Sequence, residues 1–251
     1  MTYQHGRFTW FECYTNDVER VRVFYSELFG WNIDPMQRSD GSIYQLIKSG
    51  QTGIGGLMSL TPDHATQPFW LSYLSVANVD EIARRVVSEG GTCVQEGFDI
   101  PGVGRIAVVQ DPQGAILALF KGEIGDPEEA EGPGSWWWNE LWTTSDQDAL
   151  RFYRAVFGYS QDSMEMGDES TYYILMQGDL PRGGLMQSPD DLLPPNWLPY
   201  VRVEDCDRTA EGATTLGGKV LSPPSDTPNV GRATVLSDPS GATIAAIAPT
   251  N

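Results

Sequence analysis

From residue 8 to residue 15 the chain alternates between two sides, the period-two signature of a strand. Trp10, Glu12 and Tyr14 point one way, Phe11 and Cys13 the other. Asn16 or Asp17 then caps a helix running to Phe29. On it Val21, Phe24, Tyr25 and Leu28 recur at i, i+3, i+4 and i+7, and Gly30 ends it. Two short apolar runs near 43–47 and 54–60 predict strands. The pattern then restarts with a strand at 70–76 and a helix at 80–89 stopped by Gly90 and Gly91. Strands follow at 92–95, 105–110 and 115–120. Asp111-Pro112-Gln113-Gly114 supplies the turn between the last two. The plan is a βαβββ module, used twice.

The whole arrangement is then repeated. Trp10-Phe11-Glu12, Phe24-Tyr25 and Leu28-Phe29-Gly30 recur 128 positions later as Trp138-Asn139-Glu140, Phe152-Tyr153 and Val156-Phe157-Gly158. Gly55-Gly56-Leu57-Met58 recurs as Gly183-Gly184-Leu185-Met186, and Trp70-Leu71-Ser72-Tyr73 as Trp197-Leu198-Pro199-Tyr200. DIPGVGRIAVVQDPQGA, from Asp99, recurs as DTPNVGRATVLSDPSGA, from Asp226. Order, spacing and residue type all persist, so the sequence divides into copies at 1–121 and 136–251. The stretch between them, 122–135, is rich in Gly, Pro and acids without apolar periodicity, and reads as an exposed linker. The expected fold class is α+β, two tandem domains of two βαβββ modules each, forming curved mixed sheets.

Charge and composition narrow the function. Sixteen basic residues stand against 34 acidic ones, a formal charge of −18 that repels phosphate backbones and anionic lipid. Neither nucleic acid nor membrane is an expected partner. No stretch approaches the roughly 20 apolar residues of a membrane helix, and the polar start carries no secretory signal. Cys13, Cys93 and Cys206 are scattered without CxxC spacing, which suits a reducing cytoplasm. His5 and His64 are the only histidines, too few for a metal site of several imidazoles or for Ser–His–Asp chemistry in two matched sites. The Gly-Gly pairs lack the GxxxxGK pattern of a phosphate loop, and read as places where a strand bends or something approaches closely. No cofactor is expected.

A strand, an aspartate and a helix ending FYSELFGW resemble the opening module of the vicinal-oxygen-chelate superfamily of glyoxalases, bleomycin-resistance proteins and extradiol dioxygenases. The later GRIAVVQDPQGA is similar to its closing strand pair, and the resemblance covers nearly the whole chain in both copies, as in tandem bacterial glyoxalase-like proteins. It implies a fold and leaves the chemistry open. In metal-dependent members the ligands lie on the first strand of each module and after the DPxG turn. In register, those positions fall on Trp10, Leu71 and Ala118, and on Trp138, Leu198 and Ala245. None binds a divalent cation, so no metal site is expected.

The concave face implied by the resemblance carries one acid among rings: Trp10, Glu12 and Tyr14 in one copy, Trp138, Glu140 and Trp142 in the other. Tyr73 and Tyr200 share that face, and Tyr44 and Tyr172 are candidates to join it. Such a lining suits a flat or apolar small molecule, although aromatics at strand spacing equally serve as core. A buried carboxylate needs a partner. Three roles therefore stand open for Glu12 and Glu140: general base, holder of a cationic or donating ligand, or ion-pair partner of Arg105 and Arg232, which occupy matched positions before the DPxG hairpins. Arg105 and Arg232 are alternatively groups that bind a ligand anion. Two functions follow. One is metal-independent binding of an aromatic or hydrophobic compound, cationic ones included, for which bleomycin-resistance members are the precedent. The other is a glyoxalase-like lyase or isomerase with Glu12 or Glu140 as base. The expected partner is a small molecule, with the chain either a monomer whose copies pack like a dimer or a homodimer.

Overall fold

The computed structural model describes residues 3–38, 41–61, 67–165, 171–189 and 194–250. The first copy runs β1 (Phe8–Thr15), α1 (Val18–Phe29), β2 (Asn32–Gln37), β3 (Ile43–Ser49), β4 (Thr52–Ser59), β5 (Phe69–Ser75), α2 (Val79–Ser88), β6 (Thr92–Ile100), β7 (Gly104–Gln110) and β8 (Ile116–Gly122). The second runs β9 (Trp136–Thr143), α3 (Asp146–Phe157), β10 (Ser160–Glu165), β11 (Thr171–Gln177), β12 (Leu180–Gln187), β13 (Asn196–Arg202), α4 (Cys206–Thr215), β14 (Lys219–Thr227), β15 (Gly231–Ser237) and β16 (Thr243–Pro249). Both sheets are mixed and eight-stranded, in the orders β2-β3-β4-β1-β5-β8-β7-β6 and β10-β11-β12-β9-β13-β16-β15-β14. This is the expected α+β arrangement of βαβββ modules. Among the described residues no helix is long and apolar enough to cross a membrane.

Local chemistry sets the element ends. The Asp17 carboxylate accepts from Arg20 N at 3.2 Å to cap α1, and Gly30 ends it at φ 70°, where a side chain would be strained. Asn78 and Asp205 cap α2 and α4 in the same way. The strands that the hydrophobic pattern leaves undrawn are β2 and β10. NIDPMQ and SQDSME are polar and mostly exposed, and Pro35 sits where only an edge strand tolerates it.

The chain packs as two compact units whose membership exchanges modules between the copies. One comprises Met1–Trp10, Ser72–Pro127 and Trp138–Leu198; the other comprises Phe11–Leu71, Glu128–Trp137 and Pro199–Asn251. Each therefore joins the first module of one copy to the second module of the other. The first unit's core gathers Leu74, Val86, Val109 and Leu119 with Leu141, Tyr153, Val156 and Trp197. The second is built on rings: Tyr25, Phe29, Trp31, Trp70 and Trp136 pack with centroids 5.0–6.1 Å apart.

Within each unit a DPxG aspartate locks onto a helix tyrosine. In the first, Asp111 Oδ1 accepts from the amides of Gln113, Gly114 and Ala115 at 2.8–2.9 Å. Its Oδ2 accepts from Tyr153 Oη at 3.1 Å, and that hydroxyl accepts from Trp197 Nε1 at 3.0 Å. In the second, Asp238 caps its own turn, Tyr25 donates to it at 3.0 Å, and Trp70 donates to Tyr25 at 2.9 Å. Burial and the neighbouring aspartate push both tyrosine hydroxyls well above their ordinary range.

The expected exposed linker is partly anchored. Asp126 accepts from Gln4 N at 2.6 Å and from Ser75 Oγ at 2.7 Å in the first unit. In the second, Gly134 O accepts from Trp31 Nε1 at 2.7 Å. Its lack of apolar periodicity reflects backbone and carboxylate contacts, which leave no hydrophobic pattern in a sequence.

Candidate functional site

In the second unit, α1 covers one face of its first module, where Phe11, Cys13, Ile47 and Leu57 are buried. The opposite face carries the candidate chemistry. Strand register places Glu12 beside Gly56 and Tyr14 beside Met58, while Leu46 of β3 lies opposite Gly56. Two strand positions from Leu46, Tyr44 shares its face. The Glu12 side chain is buried, and both its oxygens are held by phenols: Tyr44 Oη donates to Oε1 at 2.8 Å and Tyr14 Oη to Oε2 at 3.2 Å. Tyr14 is also stacked on Phe69, centroids 5.0 Å apart and planes within 5°. Arg38, just beyond β2, lays its guanidinium over the Tyr44 ring at 4.2 Å.

Glycine makes this possible. A Cβ on Gly56 would lie 2.1 Å from Tyr44 Oη, so only glycine leaves room for the phenol to cross β4 and reach Glu12. A Cβ on Gly184 would similarly lie 1.8 Å from Tyr172 Oη. The Gly-Gly pairs thus admit an aromatic side chain from the neighbouring strand.

The first unit builds a variant of the same device. Trp142 Nε1 donates to Glu140 Oε1 at 2.6 Å, and Trp138 Nε1 donates to Tyr172 Oη at 2.7 Å. Burial, then the charge of Glu140 and a hydrogen bond to it, push the Tyr172 hydroxyl well above its ordinary range, while Trp138 works against them. Two aromatic donors again hold one carboxylate, with an indole in the place of Tyr14.

The expected ion pairs are corrected by these contacts. Arg105 Nε and Nη2 bond Asp80 at 3.0 and 2.8 Å, Nη1 bonds Asp99 at 3.0 Å, and Nη2 also reaches Gly97 O. Arg232 bonds Asp207 and Asp226 in the same way. The acids needed by the arginines lie at the first turn of the preceding helix and opposite in the hairpin, so Glu12 and Glu140 take neutral donors instead. Four of the five guanidinium N–H groups of Arg105 are thereby spoken for, leaving little for a ligand anion. Arg105→Met should therefore leave small-molecule affinity unchanged in a titration and move the melting temperature little, because such exposed pairs contribute little. Tenfold weaker binding would return Arg105 to the site.

Tyr73 and Tyr200 lie on β5 and β13, each registered against a small residue, Ala118 and Ala245 respectively. Tyr73 is buried and meets Phe120 edge-on at 6.4 Å. Trp10 shares the face of Glu12 by alternation along β1. Arg38, Met58 and Phe69 are contributors that sequence reasoning missed. Phe69 was legible as the alternation partner of Leu71, whereas Arg38 follows a strand with no apolar signal.

A family model for the Glyoxalase/Bleomycin resistance protein/Dioxygenase superfamily matches residues 7–119 and 139–246. The chain belongs to that superfamily. It is 35% identical over 253 residues to "Putative glyoxylase CFP32" of Mycobacterium tuberculosis, covering 98% of this chain and 96% of that one. It is 31% identical to "Anthracycline biosynthesis protein DnrV" of Streptomyces peucetius, covering 94% and 91%. In fold it is similar to the Mn(II)-bound glyoxalase of Novosphingobium aromaticivorans, with TM-score 0.69, 15% identity, and coverage of 98% and 82%. The 2,3-dioxygenase LapB of Pseudomonas sp. KL28 is likewise similar, with TM-score 0.66, 12% identity, and coverage of 100% and 94%.

Superfamily membership raises the question of a divalent metal. Among the described residues the donor chemistry does not fit one. The corresponding strand positions carry Trp10, Leu71, Ala118, Trp138, Leu198 and Ala245. Among the described residues, no three His, Cys, Asp or Glu side chains converge to ligate an ion. His64 lies outside the described residues.

Proposed function

We propose that the chain is a small-molecule binding protein that works without a metal ion, holding a flat aromatic or otherwise hydrophobic compound against the aromatic faces of its sheets. One observation carries the reading. A buried carboxylate, Glu12, stands on a ring-lined face with both oxygens held by tyrosine hydroxyls, so that face is polar at one point and apolar around it. The names of the Streptomyces relatives support a flat polycyclic ligand, since anthracyclines are fused-ring compounds. A single chain suffices for this role, and neither nucleic acid nor membrane is needed.

The test is calorimetric titration of polycyclic aromatics, an anthracycline aglycone among them, in buffer containing a chelator. Binding should persist with the chelator present, and Glu12→Gln should weaken it by about tenfold as the charged acceptor of two hydroxyls is lost. Silence across the panel, or binding that appears only with added divalent ion, overturns the proposal.

A second reading is supported by the glyoxylase name of the mycobacterial relative and by the position of the carboxylate: a lyase or isomerase with Glu12 or Glu140 as base. Turnover of a glutathione hemithioacetal that survives Glu12→Gln and Glu140→Gln alike removes both residues from that role.

A further inference from the structure

The face around Glu12 carries a cation, Arg38. Its guanidinium rests on the Tyr44 ring at 4.2 Å and reaches Met58 Sδ at 4.0 Å. Among the described residues no carboxylate pairs with it. Asp34, the acid on the adjoining strand, is taken by Lys48 at 3.2 Å, and the oxygens of Glu12 are taken by Tyr14 and Tyr44. Arg105 and Arg232, by contrast, are each paired with two aspartates. In a chain of net charge −18, a half-buried guanidinium that, among the described residues, meets a ring and a thioether rather than a carboxylate stands out as a local cation. At the position 128 residues on, the second copy has Met166.

We infer that Arg38 makes the face around Glu12 selective for planar aromatic anions, compounds bearing a carboxylate or ionised phenol on a ring system. The ring system lies against the half-buried Tyr14 and Phe69, and its anionic oxygen pairs with Arg38. A guanidinium that rests over an aromatic ring keeps N–H groups free of the ring to meet an oxyanion at the ring edge. The carboxylate of Glu12 does not compete for Arg38, because neutral hydroxyls hold it. A preference for anions runs against the overall charge of the chain, which by itself favours cations at every face.

The inference rests on the small-molecule reading, and the experiment separates the two. Three probes share one ring system and differ in charge: 2-naphthoate, 2-naphthamide and 2-(aminomethyl)naphthalene. Each is titrated into the full chain and into Arg38→Gln and Arg38→Lys. Naphthoate should bind the wild type about tenfold more tightly than naphthamide. In Arg38→Gln the ratio of naphthoate to naphthamide affinity should fall to about one, and Arg38→Lys should retain part of the preference. A wild type that favours the amine, or a naphthoate preference untouched by Arg38→Gln, overturns the assignment of Arg38 while the small-molecule reading stands. Silence toward all three probes overturns both.

Discussion

Replacing Asp111 with alanine is expected to destabilise the fold by about 3–5 kcal/mol, seen as a lower urea midpoint at unchanged slope. The size follows from how many donors one side chain satisfies. Asp111 is buried, with 4% of its surface exposed. Oδ1 accepts from three consecutive amides of its own turn, and Oδ2 accepts from the hydroxyl of Tyr153 on α3. Alanine strands the Ala115 amide and the Tyr153 hydroxyl in buried surroundings, while the Gly114 amide keeps the Asp111 carbonyl at 3.1 Å, and each unmet buried donor costs about 1–3 kcal/mol before relaxation. Asp111→Asn should cost less, since its carbonyl oxygen still serves the turn and only the bond from Tyr153 must reorganise. Asp238→Ala should cost a similar amount in the other unit, where Tyr25, Ser240, Gly241 and Ala242 lose the same carboxylate. A loss below about 1 kcal/mol in Asp111→Ala would mean that the bonds to Tyr153 and the turn are not the joint inferred here.

These aspartates mark where the sequence stopped being legible. DPxG identifies a turn, because Pro and Gly announce backbone geometry. It does not announce that the second carboxylate oxygen reaches a tyrosine 42 residues away in the other copy. Tyr153 and Tyr25 likewise fit the helix period as core residues, and nothing in that period reveals a hydrogen bond. The exchange of modules between units has the same cause: a repeat shows which segments are alike, whereas packing decides which are neighbours. Elements with strong alternation or helical spacing, such as β1 and α1, were readable to within a residue or two. The polar edge strands β2 and β10 were not, and Arg38 went with them.

The acids on the aromatic face were legible in the sequence, and the donors that hold them were not. Glu12 and Glu140 stand out because alternation puts an acid among rings, and that much follows from period two alone. The arginines at matched positions looked like the only counter-charges in reach. Yet Arg105 is registered directly opposite Asp99 in its own hairpin, and Asp80 opens the helix beneath it. Nearby acids outcompete distant ones for a guanidinium because the chain has already brought them together. Phenol and indole donors then hold the buried carboxylates, a solution that composition does not suggest, since both groups read as hydrophobic.

The adjacent glycines Gly55 and Gly56 should separate folding from binding. A Cβ on Gly55 would lie 2.2 Å from the carbonyl oxygen of Phe11 in the paired strand β1. Backbone cannot swing aside, so Gly55→Ala must push two hydrogen-bonded strands apart, at roughly 3 kcal/mol or more. A Cβ on Gly56 meets the far end of the Tyr44 side chain instead. That ring can rotate away, so Gly56→Ala should cost less than Gly55→Ala, about 1–2 kcal/mol with the lost bond to the buried Glu12 counted. It should nevertheless weaken ligand affinity by about tenfold, because Glu12 forfeits its 2.8 Å bond and the face loses a wall. The second copy sharpens the contrast. A Cβ on Gly183 would lie 3.0 Å from Asn139 O, a looser approach, so Gly183→Ala should be clearly milder than Gly55→Ala in urea denaturation. If Gly55→Ala and Gly56→Ala lose stability equally, and affinity merely follows the folded fraction, then Tyr44 is packing and Glu12 does not depend on it.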